Sequence, residues 1–170
     1  MARILIVGGG CPGRELAAPM IERGHAVRIT TRSVRGRSAI EQTGAECWIG
    51  TPDRLATMRG ALDHVTIACW MLAGASGEEQ ELAALHSSRL EFFLSQAIDT
   101  TVRGFLYDAT PGGAVPAQLL GEGAQIVRRM TELNAIPAAV LGEGGGSEGD
   151  ARGWTASAAH VVAQLLGEHV

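Results

Sequence analysis

The sequence predicts an α/β fold, a doubly wound parallel sheet of about six strands with helices on both faces. Three observations lead there. Short β-branched apolar runs alternate with stretches of helical spacing, a glycine cluster stands at the first strand-to-helix junction, and small residues carry the apolar fraction in place of aromatics. Runs that are apolar throughout suit strands buried on both faces of a parallel sheet. Right-handed crossovers then place helices on both sides. With 170 residues and no internal linker or short-period repeat, the chain reads as a single domain, residues 1–170.

The first strand is residues 3–7 (RILIV), which ends at three consecutive glycines. Residues 13–23 follow as a helix, with Leu16, Met20 and Ile21 at helical spacing and Gly24 as the stop. Pro19 inside it is expected to kink the helix, because proline lacks an N–H and clashes with the carbonyl four residues back. The second strand is residues 25–31, a short helix covers 38–43, and the third strand is 45–49. A helix is expected over 52–62, with Asp53 favourably placed in its first turn. The fourth strand is 64–69, and a long helix lies within 78–101 on Leu82, Leu85, Leu90, Phe93, Leu94 and Ile98. Strand 104–109, helix 117–133, strand 136–141 and helix 157–166 complete the alternation. The stretch 142–153, GEGGGSEGDARG, reads as a glycine-rich loop, either mobile over a site or a plain connection.

A formal charge of −4 argues against nucleic acid or an anionic membrane as a partner, although Arg28, Arg32, Arg35 and Arg37 form a local basic stretch. No run approaches ~18 apolar residues, so no membrane span is expected. The apolar run before the glycines is too short for a signal peptide. The three cysteines are far apart and form no CxxC, as in reduced cytosolic proteins, so the expected location is cytoplasmic. No histidine has metal-ligand spacing with a cysteine or carboxylate, and no metal is expected. His86 and Arg89 read as a solvated helix face, and His25 and His64 as surface positions before strands.

Gly8-x-Gly10-x-x-Gly13 lies between the first strand and the first helix. Side chains there would block the turn and hold the backbone off a pyrophosphate, while the helix N-terminus offers free amides and a positive dipole end. A strand, this loop, a helix and a second strand together make a dinucleotide-binding fingerprint. Cys11 and Pro12 lie in the loop. Cys11 is either a thiol activated by the helix N-terminus or a small loop residue. At the end of the second strand an acid would bind the ribose hydroxyls of NAD(H). The chain has Thr31, Arg32 and Ser33 there, followed by Arg35 and Arg37. An arginine at this place suits the extra phosphate of NADP(H), with Thr31 and Ser33 as hydroxyl donors and Arg14 as a second clamp.

The segments ILIVGGGCPGRELA, RGHAVRITTR, GAECWIGTPDRLATMRGAL and WTASAAHVVAQLLGE resemble the atypical short-chain dehydrogenase/reductase group. That group comprises Rossmann-fold NAD(P)-binding proteins of NmrA-like and NAD-dependent epimerase/dehydratase-like type, and the resemblance extends over most of the chain. It implies that the segment after the third strand meets adenine, with Thr51 where the group usually carries an acid. It also implies that Cys69, Trp70 and Met71 border the adenosine half. The group's Tyr-x-x-x-Lys pair is missing: Tyr107 is the one tyrosine, and there is no lysine.

Asp108 and Thr110, at the carboxyl end of the fifth strand, are the candidate catalytic groups, or else a turn leading into Pro111-Gly112-Gly113. The expected function is that of an NADP(H)-dependent oxidoreductase passing hydride to a small carbonyl, enone or flavin-like acceptor. The alternative is a non-catalytic NADP(H)-binding redox sensor. Leu90, Phe92 and Phe93 around more than one face of the long helix suggest a homodimer.

Overall fold

The computed structural model describes residues 1–143 and 151–168. Its six strands are β1 (Arg3–Val7), β2 (Ala26–Thr31), β3 (Glu46–Ile49), β4 (Ile67–Trp70), β5 (Gly104–Asp108) and β6 (Ala138–Leu141). All pairs are parallel, in the order β3-β2-β1-β4-β5-β6. The chain winds outward from β1 in one direction and then from β4 in the other, so the order reverses between these two central strands.

Alternation along β1 shows why the sheet is covered twice. Leu5 and Val7 join one core, with Met58, Leu82, Phe93 and Val127, while Ile4 and Ile6 join the other, with Leu16, Met20, Ile40 and Val162. The first core is capped by α3 (Glu79–Leu85), α4 (Ser88–Ile98) and α5 (Ala117–Leu133). The second is capped by α1 (Cys11–Glu22), α2 (Arg37–Glu41) and α6 (Ala151–Leu165). Every side chain from Ile4 to Val7 is completely buried.

Several boundaries differ from expectation, each for a local reason. Helix α1 starts at Cys11, so the second half of the glycine motif is already its first turn, and the helix runs on past Pro19 to Glu22. His64 has φ 61°, outside any strand conformation, and β4 begins only at Ile67. Residues 52–62 form no α-helix: a turn closed by Thr51 leads into a 3-10 helix, Leu55–Leu62. There the Thr57 hydroxyl donates to the Arg54 carbonyl (2.6 Å), and the Trp48 indole N–H donates to the Thr57 carbonyl (2.7 Å). Such side-chain bonds compete with helix geometry. The helix expected within 78–101 is two helices, broken at His86 and Ser87, where the imidazole is drawn inward. Of the expected 142–153 loop, 144–150 lie outside the described residues, and 151–153 belong to the first turn of α6.

Arg28 is no part of a surface patch. It is 5% exposed, donates to the carbonyls of Gly60 (3.1 Å) and Ala61 (2.7 Å), and pairs with Glu46 at 3.1 Å. Its guanidinium also lies 5.1 Å from the Trp48 ring centroid. One buried cation thus ties the end of the 3-10 helix to β2 and β3. Arg28→Leu takes the guanidinium donor from the Ala61 carbonyl and leaves the Gly60 carbonyl only the Asp63 amide, and it is expected to destabilise the chain by about 2–4 kcal/mol in urea unfolding. A loss under ~0.5 kcal/mol would show that the tie is idle.

Candidate dinucleotide site

The sheet order reverses between β1 and β4, and a cleft of about 350 Å³ opens at the carboxyl ends of these strands. Ligands of open α/β sheets bind at such reversal points. The glycine loop forms the floor. A Cβ on Gly13 would strike the Gly8 carbonyl, and one on Gly8, at φ 121°, would strike the Met71 carbonyl. These two glycines let α1, β1 and β4 converge. Gly10 differs: the nearest atom to its would-be Cβ is Pro12 Cδ at 3.8 Å, so that position faces open cleft. The Gly8 amide donates to the Thr30 hydroxyl (3.2 Å), which fixes the loop to β2.

Of the residues expected to hold a dinucleotide, Gly8, Gly10, Cys11, Pro12, Thr31, Arg32 and Met71 line this cleft. Gly13 is buried behind it as the helix-packing glycine. Cys69 and Trp70 are completely buried within β4, so their side chains are closed to a ligand, and burial pushes the Cys69 thiol up to about 12. Arg14 is turned back, donating to the Gly9 carbonyl and the Cys11 sulfur, each at 3.3 Å, and it does not reach the β2 end. Ser33 lies outside the lining, where the chain turns into a 3-10 turn, Val34–Gly36. The sequence reading missed Gly9, Asp53, Leu72, Gly74, Ala75 and Ser76 as lining residues. The small-residue run after β4 was the available signal for the last three, since small side chains let a ligand lie close to the backbone.

A second cavity of about 240 Å³ adjoins the first, and Pro12 and Gly74 line both. It contains Asp108 and Thr110, together with Glu15 and Trp154, which the sequence reading did not include. The Thr110 amide donates to Asp108 Oδ1 (3.0 Å), and the Trp154 indole N–H donates to Thr110 Oγ1 (3.1 Å). Burial raises the Asp108 carboxyl above the ordinary range, opposed by its side-chain and backbone hydrogen bonds from Thr110.

Tyr107 faces away from both cavities. It is fully buried, with its hydroxyl 2.7 Å from His86 Nδ1, and α5 approaches closely through Gly123. His86 is 1% exposed, not the solvated group expected. Its Nε2 lies 3.2 Å from the Leu72 carbonyl. A carbonyl only accepts, so Nε2 carries the proton and Nδ1 accepts the Tyr107 hydroxyl. The relay ends on Leu72, in the cleft wall. Burial also drives the Tyr107 phenol upward, Asp108 adding to the effect, so the phenol stays protonated. His25, likewise expected at the surface, is buried, with Nε2 3.1 Å from Glu168. Leu90 and Phe93 are buried, which leaves Phe92 as the exposed apolar group of α4. Among the described residues, no three His, Cys, Asp or Glu side chains converge as a metal site, and no helix is long and apolar enough to cross a membrane.

This strand order, with a GxGxxG loop leading into the first helix at the reversal point, defines a Rossmann-type fold. Its likeness is to short-chain dehydrogenase/reductase and sugar-nucleotide epimerase structures. A short-chain dehydrogenase/reductase superfamily protein from Agrobacterium tumefaciens, solved with bound NAD, aligns at TM-score 0.66 and 19% identity over 81% of this chain and 48% of its own. UDP-glucose 4-epimerase from Thermotoga maritima aligns at 0.68 and 16% over 81% and 54%. Vestitone reductase from alfalfa (Medicago sativa) aligns at 0.66 and 14% over 82% and 56%. The chain spans about half the length of these structures, and at such identities the shared property is the fold. No protein-family model matches the chain, and no curated protein matches it.

The His86 relay has a pH signature. Burial lowers the His86 pKa below its ordinary 6.5, partly offset by the bond to Leu72. Its folded value thus lies below its unfolded one. The stability it contributes is present above about pH 6.5 and is lost as the pH falls through the lower folded value. The melting temperature of the wild type is expected to fall between pH 7 and pH 5 more steeply than that of His86→Gln. Parallel curves would remove the relay from the stability account.

Proposed function

We propose that this chain binds a nicotinamide dinucleotide across the carboxyl ends of β1, β2 and β4, with NADP(H) preferred over NAD(H). The observation that carries the reading is the open space over Gly10 at the reversal point, beside an Arg32 that lines the cleft where an acid would favour NAD(H). Helix geometry leaves the first-turn amides of Cys11 and Gly13 without partners inside α1, and these suit a pyrophosphate. Arg32 suits a 2′-phosphate through a bidentate contact, with the Thr31 hydroxyl beside it. The bound nicotinamide would supply hydride chemistry, and the small-molecule acceptor would be a carbonyl, enone or flavin-like ring. Within that reading, Asp108 and Thr110 are the polar groups of the second cavity closest to such chemistry.

A second reading, a redox sensor that binds without turnover, is favoured by Tyr107. Its hydroxyl is buried and given to His86, and the sequence has no lysine to lower its pKa. Consumption of NADPH with a panel of acceptors separates the two readings.

In titration calorimetry NADPH is expected to bind more tightly than NADH. Arg32→Ala should weaken NADPH by about 1.5–3 kcal/mol, the scale of a charged hydrogen bond, and leave NADH nearly unchanged. Equal or tighter binding of NADH would contradict the preference.

Gly10→Val is expected to keep the wild-type melting temperature within a few degrees and to abolish dinucleotide binding, because its side chain enters only ligand space. A variant that binds with native affinity would mean that the loop is merely a turn.

A further inference from the structure

We infer that the second cavity is built for the oxidised, positively charged nicotinamide ring, so that the chain holds NADP⁺ more tightly than NADPH. This rests on the dinucleotide reading above. The two cavities meet at Pro12 and Gly74, and the first takes the pyrophosphate and the end of the ligand that reaches β2. The remaining ring of a dinucleotide then has the second cavity to enter. Charge differs between the two. Arg32 and the acid Asp53 both line the first, whereas the second is lined by two acids, Asp108 and Glu15, and by no basic side chain.

An indole supplies the other part of the recognition. Trp154 lines the cavity from α6, with its N–H held by Thr110. A flat cation over an indole face is attracted by the ring quadrupole, and a neutral dihydropyridine is not. Asp108, 3% exposed, adds a carboxylate in a setting where solvent screens little. Its two Thr110 contacts hold it in place. Glu15 is at the rim, accepting from the Thr155 hydroxyl at 3.2 Å, and contributes less because water screens it. Reduction removes the positive charge from the ring and leaves its size nearly unchanged, so the discrimination comes from charge and not from fit.

The test compares dissociation constants of NADP⁺, NADPH and adenosine 2′,5′-bisphosphate for the wild type, Asp108→Asn and Trp154→Leu, with Trp154→Phe as the ring-retaining control. The wild type is expected to bind NADP⁺ about tenfold more tightly than NADPH. Asp108→Asn and Trp154→Leu should each bring the ratio to within about twofold, mainly by weakening NADP⁺, while Trp154→Phe keeps most of it. Affinity for the bisphosphate, which lacks the ring, should not change in any variant. A wild-type ratio near one, a preference for NADPH, or a ratio untouched by both Asp108→Asn and Trp154→Leu overturns this inference and leaves the dinucleotide reading standing. Failure of all three ligands to bind the wild type overturns both.

Discussion

The carbonyl of Gly8 lies where a side chain on Gly13 would have to be, and the carbonyl of Met71 lies where one on Gly8 would be. These two contacts let the first helix sit directly on the first strand while β4 closes in from the other side. The remaining features of the site follow from that convergence. Helix α1 begins at Cys11, inside the glycine motif, so its first-turn amides face the cleft. The reversal of strand order opens space there, and Gly10 leaves it unfilled. Arg32 enters from β2, and the small residues after β4 form the facing wall.

Behind that wall lies a polar path that a catalytic tyrosine would not share. The Tyr107 hydroxyl donates a hydrogen bond to His86 Nδ1, and His86 Nε2 donates one to the Leu72 carbonyl. The phenol therefore supports the wall and lies outside both cavity linings. The same imidazole breaks what would otherwise be one long helix, because reaching Tyr107 takes residue 86 out of the α3–α4 line. In the second cavity Asp108, Thr110 and Trp154 are joined to one another by hydrogen bonds.

The sheet and the glycine loop were legible in the sequence because their causes are local. Arg3–Val7 is apolar at every position but its first, and glycine spacing reports backbone approach directly. His86, Arg28 and Trp154 were not legible, since each is defined by a distant partner. His86 meets Tyr107 across 21 positions, Arg28 meets Ala61 across 33, and Trp154 meets Thr110 across 44. A histidine on an amphipathic helix and an arginine in a β-strand give no sign in one sequence that they are buried. Cys69 and Trp70, expected on the adenosine side, are absent from the lining for a related reason: β4 is completely buried to its last residue, so the lining begins one position later, at Met71.

The central claim is that the glycine loop and the start of α1 hold a pyrophosphate. A crystal structure of the chain grown with NADP⁺ tests it most directly. The account predicts continuous density for the ligand, with its pyrophosphate against the backbone of Gly10 to Gly13, its 2′-phosphate beside Arg32 and its nicotinamide next to Trp154. An empty cleft at saturating ligand, or density seated elsewhere on the molecule, would contradict it.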